Sequence, residues 1–170
     1  PYLLTRQVAR ESIGLSFPDI NGGSLSYPNK RFNNKVVIIQ IFGSWCPNCV
    51  DETKFLAGLY SRYQDRGLEI IGLAFESPKK LSDKIARVRD LKSHTGSKYE
   101  FLIAGSASKK EAQNALPWLN EVSSFPTTIF VDKKGHIRKI HTGFYGPGTG
   151  EHYAKYTAEV DALIEGLLNE

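Results

Sequence analysis

Hydrophobic positions fall along this chain in blocks of two periods. Val36-Val37-Ile38-Ile39-Gln40-Ile41-Phe42 is a nearly continuous β-branched run, the pattern of a strand buried on both faces of a parallel sheet. Residues 68–75 repeat it, and 99–103 and 127–131 are shorter runs of the same kind. Between them the period changes to that of helices. Phe55, Leu56, Leu59, Tyr60 and Tyr63 share a helical face that ends at Gly67, and Leu81, Ile85, Val88 and Leu91 form a stripe within 78–93. Ser108 reads as the cap of a helix reaching about Leu116, where Pro117 stops it. Residues 151–168 are a last amphipathic helix.

Turn signals complete the order. Gly22-Gly23 joins 13–21 to 24–27 as a small hairpin, and Asp132-Lys133-Lys134-Gly135 joins 127–131 to a strand over 136–142. After the hairpin the elements run β-α-β-α-β-α-β-β-α. Alternation first and a hairpin last predict an α/β fold with a central mixed sheet and helices on both faces. With no repeat, low-complexity tract or linker, residues 13–170 read as one domain. Residues 1–12 read as a short helix or a tether.

Composition adds bounds. The chain has 170 residues, 41% of them hydrophobic and 24% charged, which suits a single packed core. The net charge of +4 comes from scattered basic pairs such as Lys79-Lys80, Lys109-Lys110 and Lys133-Lys134. No basic block of the kind that grips nucleic acid is present. No apolar run is long enough to span a bilayer. The chain starts at Pro1 and has no methionine, so a leader or upstream domain is expected to have preceded it.

The two cysteines, Cys46 and Cys49, are close neighbours in sequence, so their disulfide would close no long loop and would stabilise little. Their place suggests chemistry. Phe42-Gly43-Ser44-Trp45-Cys46-Pro47-Asn48-Cys49 lies between the strongest strand and the strongest helix. A thiol at a helix N-terminus meets unpaired backbone N–H groups and the positive end of the helix dipole, and both favour thiolate. Pro47 suits the first helical position. Cys46 is thus expected at the N-cap, exposed, with a pKa of roughly 5–7.5 against about 8.5 for a free thiol. Cys49, one turn in, would be buried, with a higher pKa. Cys46 reads as the attacking thiolate and Cys49 as the resolving thiol.

Competing chemistries fit less well. Zinc needs four ligands, and His94, His136, His141 and His152 are scattered, so they read as surface residues. Copper(I) capture by the two thiols is the alternative from another class. A peroxidatic cysteine wants Thr or Ser three residues earlier, where this chain has Gly43. No cofactor beyond the cysteines is expected.

With Phe125-Pro126-Thr127 leading into a later strand, the WCPNC unit resembles the thioredoxin superfamily. Within it the chain is similar to the TlpA/ResA-like envelope thiol–disulfide oxidoreductases, on three features: the hairpin around Phe17-Pro18-Asp19, an α/β segment ahead of Pro126, and Glu52 three residues after Cys49. The resemblance covers about 13–168. It implies that Cys46 is the nucleophile and Cys49 the resolving thiol, that Trp45 flanks the pair, and that Pro126 is a cis-proline facing it. The backbone of Phe125 would then be free to pair with substrate. Where thioredoxin has a buried aspartate this chain has Gln40, which leaves Glu52 as the proton carrier. Trp45, Phe125 and Phe144 are candidates for an apolar rim, Phe144 with an equal claim to the core. Glu76 reads as a solvated strand-end carboxylate. The implied activity is a disulfide reductase of a periplasm or cell envelope, with disulfide-containing protein substrates and an electron donor, membrane-bound or soluble, that the sequence does not name.

Overall fold

The computed structural model describes residues 5–8 and 11–170. A central five-stranded sheet is formed by β3 (Val36–Phe42), β4 (Leu68–Glu76), β5 (Glu100–Ser106), β6 (Thr127–Val131) and β7 (Ile137–Thr142), in the order β5-β4-β3-β6-β7. β3, β4 and β5 are parallel, while β6 runs antiparallel to β3 and β7 to β6. Among the described residues four α-helices join the strands: α1 (Pro47–Tyr63), α2 (Leu81–Thr95), α3 (Lys109–Ala115) and α4 (Glu151–Leu168). The sheet is buried on both faces, which is why β3 and β4 are mostly apolar instead of alternating, with Gln40, Glu69 and Glu76 the exceptions.

Strand periodicity divides the core. Val36, Ile38, Leu68, Ile70 and Phe130 point to one face, against Leu56 and Leu59 of α1, Val88 and Leu91 of α2, and Val160 and Ile164 of α4. Val37, Ile39, Ile41, Leu73, Ile129 and Val131 point to the other, against Ala112 of α3, Leu116, Trp118 and the N-terminal hairpin. That hairpin, β1 (Leu15–Pro18) with β2 (Ser24–Tyr27), turns on Asp19, whose Oδ1 accepts from Asn21 N and Gly23 N. Asp19 also forms an isolated antiparallel bridge to Leu102 of β5. The Ser108 hydroxyl caps α3, accepting from Glu111 N at 3.0 Å.

Two local details go beyond the sequence pattern. Residues 5–8 are not helical: Val8 N donates to Trp118 O, Asn120 N donates to Arg6 O, and Gln7 bridges Leu119. The backbone groups of 118–120 outcompete local helix formation there. Residues 1–4 and 9–10, which also fell within the expected tether or helix, lie outside the described residues. Second, α2 begins at Leu81, and Leu81 is exposed at 47% instead of joining the apolar stripe.

Candidate active site

β3 ends at Phe42 and the chain turns through Gly43 to Trp45 before α1. Cys46 is the N-cap of α1, with extended backbone (φ −98°, ψ 116°), and Pro47 opens the helix. Its Sγ accepts from Cys49 N at 3.4 Å and lies 3.7 Å from the carbonyl oxygen of Phe125. That second contact reaches Cys46 from the cis Phe125–Pro126 peptide, which stands over the cysteines where β6 begins. Tyr27–Pro28 is cis as well. Cys49 has no solvent exposure, whereas Cys46 keeps 8%. The Cys46 thiol is therefore less open than its helix position implies, because the Phe125 carbonyl and the first turn of α1 close on it.

The two thiols differ sharply in acidity. The Cys49 thiol donating to the Cys46 sulfur lowers the Cys46 pKa to about 6. Burial works against that, and the backbone N–H groups of Cys49 and Asn48 support it. Burial pushes the Cys49 thiol well above its ordinary value, and so does its role as donor to Cys46.

Trp45, exposed at 48%, donates from Nε1 to Phe75 O at 2.8 Å and packs edge-on against Phe125 at 5.5 Å between ring centroids. Phe125 is half-buried and Pro126 buried. Phe144 proves to be a core residue, 6% exposed and stacked on Phe55.

Glu52 is 1% exposed on the sheet-facing side of α1. Thr128 Oγ1 donates to its Oε2 at 2.6 Å, while Oε1 is buried without a hydrogen-bond partner. Burial raises its pKa to about 7, against the Thr128 hydrogen bond and with help from the nearby Cys46 charge. The Glu52 charge in turn raises Cys49, so its field reaches both sulfurs. Gln40 lies in the same buried layer. Its Nε2 donates to Thr53 Oγ1 at 3.0 Å and its Oε1 accepts from Tyr99 OH at 2.9 Å. Both ends of that amide are thus engaged structurally, and Glu52 is the titrating group beside the pair.

The strand-end position of Glu76 predicts solvation, yet it is 1% exposed. It accepts from Ser44 N at 2.8 Å and from the Ser44 hydroxyl, fixing the residue two before Cys46. Burial raises its pKa, opposed by the Ser44 bonds and by Arg87 and Lys84. Its place at the last residue of β4, facing a serine in the turn after β3, was the one signal available in sequence. His141 is also not a simple surface residue: Nδ1 lies 3.0 Å from Gly143 O and the ring lies 4.2 Å from that of Tyr156.

An acidified cysteine at a helix N-cap, a buried partner one turn on, a buried carboxyl near neutrality and a cis-proline overhead define a thioredoxin-fold thiol–disulfide oxidoreductase. The chain belongs to the AhpC/TSA family, whose profile matches residues 11–140. Among curated proteins it is similar to thiol-disulfide oxidoreductase ResA of Halalkalibacterium halodurans, 25% identical over 84% of this chain and 74% of that one. ResA of Geobacillus kaustophilus is 28% identical over 78% and 70%. Among solved structures, a thioredoxin-family thiol:disulfide interchange protein from Chlorobium tepidum TLS superposes with a TM-score of 0.70, at 18% identity, covering 96% of this chain and 97% of the other. A secreted Mycobacterium tuberculosis disulfide oxidoreductase superposes at 0.61 with 14% identity, covering 87% and 95%. No helix among the described residues is long and apolar enough to cross a membrane.

Proposed function

We propose that this oxidoreductase exchanges its Cys46–Cys49 pair with disulfides of protein substrates, acts as a reductase, and works in the cell envelope. The observation that carries the reading is the split acidity of the pair, with Cys46 at about 6 and Cys49 pushed up, beside a buried Glu52 at about 7. At neutral pH Cys46 is largely thiolate. Its sulfur attacks a substrate disulfide, one substrate thiolate leaves, and a Cys46–substrate mixed disulfide forms. Glu52 in its carboxylate form takes the Cys49 proton, directly or through one water. The Cys49 thiolate then attacks Cys46 Sγ and expels the second substrate thiolate, which picks up a proton from solvent. Two electrons pass to the substrate and the protein keeps the disulfide until a dithiol donor reduces it.

Trp45, Phe125 and Pro126 are the substrate-facing groups in this reading, with the Phe125 carbonyl beside Cys46 offered to an extended segment. The envelope assignment draws on a structural neighbour described as secreted.

The trapping test uses Cys49→Ser, which should accumulate mixed disulfides at Cys46, while Cys46→Ser should accumulate few. Direction is read from a glutathione redox titration. A midpoint below about −230 mV fits a reductase, whereas one near about −120 mV would make the protein an oxidant and overturn that part of the reading.

A further inference from the structure

The large apolar side chains that stand most exposed among the described residues are Trp45, Leu81 and Tyr145. Leu81 starts α2. Trp45 immediately precedes the reactive thiol, and Tyr145 lies on the segment anchored to the cis-proline beside it. Trp45 leans toward β4 through its hydrogen bond to Phe75 O. Tyr145 lies on the segment that leaves β7. Gly143 N donates to Pro126 O at 2.7 Å, so that segment starts on the cis-proline. A Cβ placed on Gly146 would come 2.9 Å from Asp51 Oδ2, so three residues later the segment touches the first turns of α1. Tyr145 sits between those two anchor points. β4 lies on one side of β3 and the β6–β7 pair on the other, so Trp45 leans to one side of the strand that leads to Cys46 and the segment carrying Tyr145 comes from the other, meeting the cis-proline on its way.

Tyr145 is also held in place. Its ring stacks on His152 at 5.2 Å with a 22° interplanar angle, tilts against His141 at 6.1 Å and meets Tyr156 at 6.4 Å. A ring that is 46% exposed yet propped on three others loses little conformational freedom when a partner covers it. That combination, large contact area at low ordering cost, is what makes tyrosine effective at recognition surfaces.

We propose that Tyr145 is a specificity-determining residue of the exchange reaction: it contacts the substrate on the side of Cys46 opposite Trp45. The two aromatics together select an extended polypeptide with a bulky apolar residue on each flank of its reacting cysteine. The inference rests on the proposed exchange with protein substrates and names which of them are preferred.

The test uses two peptides, each joined through its single cysteine to a fluorogenic thiol. One carries leucine two residues to either side of the cysteine, the other serine. kcat and KM are measured for reduced parent protein, Tyr145→Ala and Tyr145→Phe. The parent should favour the leucine peptide, and Tyr145→Ala should shrink that preference about fivefold through KM, with Tyr145→Phe retaining it. An unchanged preference in Tyr145→Ala overturns the proposal. Equal slowing of both peptides, or a shifted pH profile of Cys46 alkylation, would mark a structural role and overturn it too. If the parent exchanges with neither peptide, the exchange reading itself falls and takes the inference with it; selectivity can be lost without that.

Discussion

Replacing Glu52 with glutamine should make the reduced protein more stable at pH 8 than its parent, by far more than at pH 5. The carboxyl ionises near 4.5 when solvated and at about 7 in the fold, chiefly because it is fully buried. Between those values the native state keeps a proton that the unfolded chain has released. Parent stability therefore falls as pH rises from 4.5 toward 7, and the whole penalty stands above 7. At about 1.4 kcal/mol per pH unit, a rise from 4.5 to about 7 amounts to about 3 kcal/mol, a large share of a domain's stability. Glutamine keeps the shape but cannot ionise. Its amide bears on Thr128 at every pH, so any packing cost cancels when two pH values are compared. The assay is urea unfolding of parent and Glu52→Gln at pH 5 and pH 8 under a phosphine reductant. The difference between the two proteins should widen by about 2–3 kcal/mol toward pH 8. A difference that stays constant across that range would mean Glu52 is not desolvated in the fold, and its assignment as the proton carrier would lose its physical basis.

Iodoacetamide should alkylate Cys46 with a midpoint near pH 6 while Cys49 stays unmodified in the folded dithiol form, as peptide mapping by mass spectrometry would show. Glu76→Ala strips the acceptor from Ser44 N and the Ser44 hydroxyl, and should cost about 2 kcal/mol in urea unfolding, with Glu76→Gln losing less because it keeps one acceptor. Equal losses for the two variants would argue against that hydrogen-bonded role. Gly43→Ala places a Cβ on the Trp45 indole, so it should break the Nε1–Phe75 bond and move the Trp45 indole N–H resonance while that of Trp118 stays.

The order of elements was legible because both periodicities are strong here. The 36–42 and 68–75 runs admit little but central strands, and α4 falls on 151–168 as the amphipathic pattern predicts. The cysteine pair was legible because helix entry carries a local mark, whereas the cis Pro126 followed from the family resemblance and from no local pattern. Glu52 was legible through the apolar stripe of α1, which fixes the face it lies on. What failed to show depends on partners distant in sequence. The burial of Glu76 requires Ser44, 32 residues earlier, to fold onto the end of β4. Residues 5–8 find their backbone partners at 118–120, and no local pattern announces such a pairing. Cys46 is covered by Phe125 from 79 residues away, so helix position alone overstated its exposure.

The small hairpin has a further consequence for solubility. A five-stranded sheet has two free margins, each a row of backbone donors and acceptors open to strand addition by another copy. At the β5 margin, the Asp19–Leu102 bridge seats the hairpin turn against the strand and interrupts that row. At the β7 margin the strand is short and carries the charge of Lys139, while Arg138 beside it is already paired with Asp132 and Glu170. The fold thus guards one margin by covering it and the other by charge, leaving an extended polypeptide a better welcome over the cysteines than along the sheet.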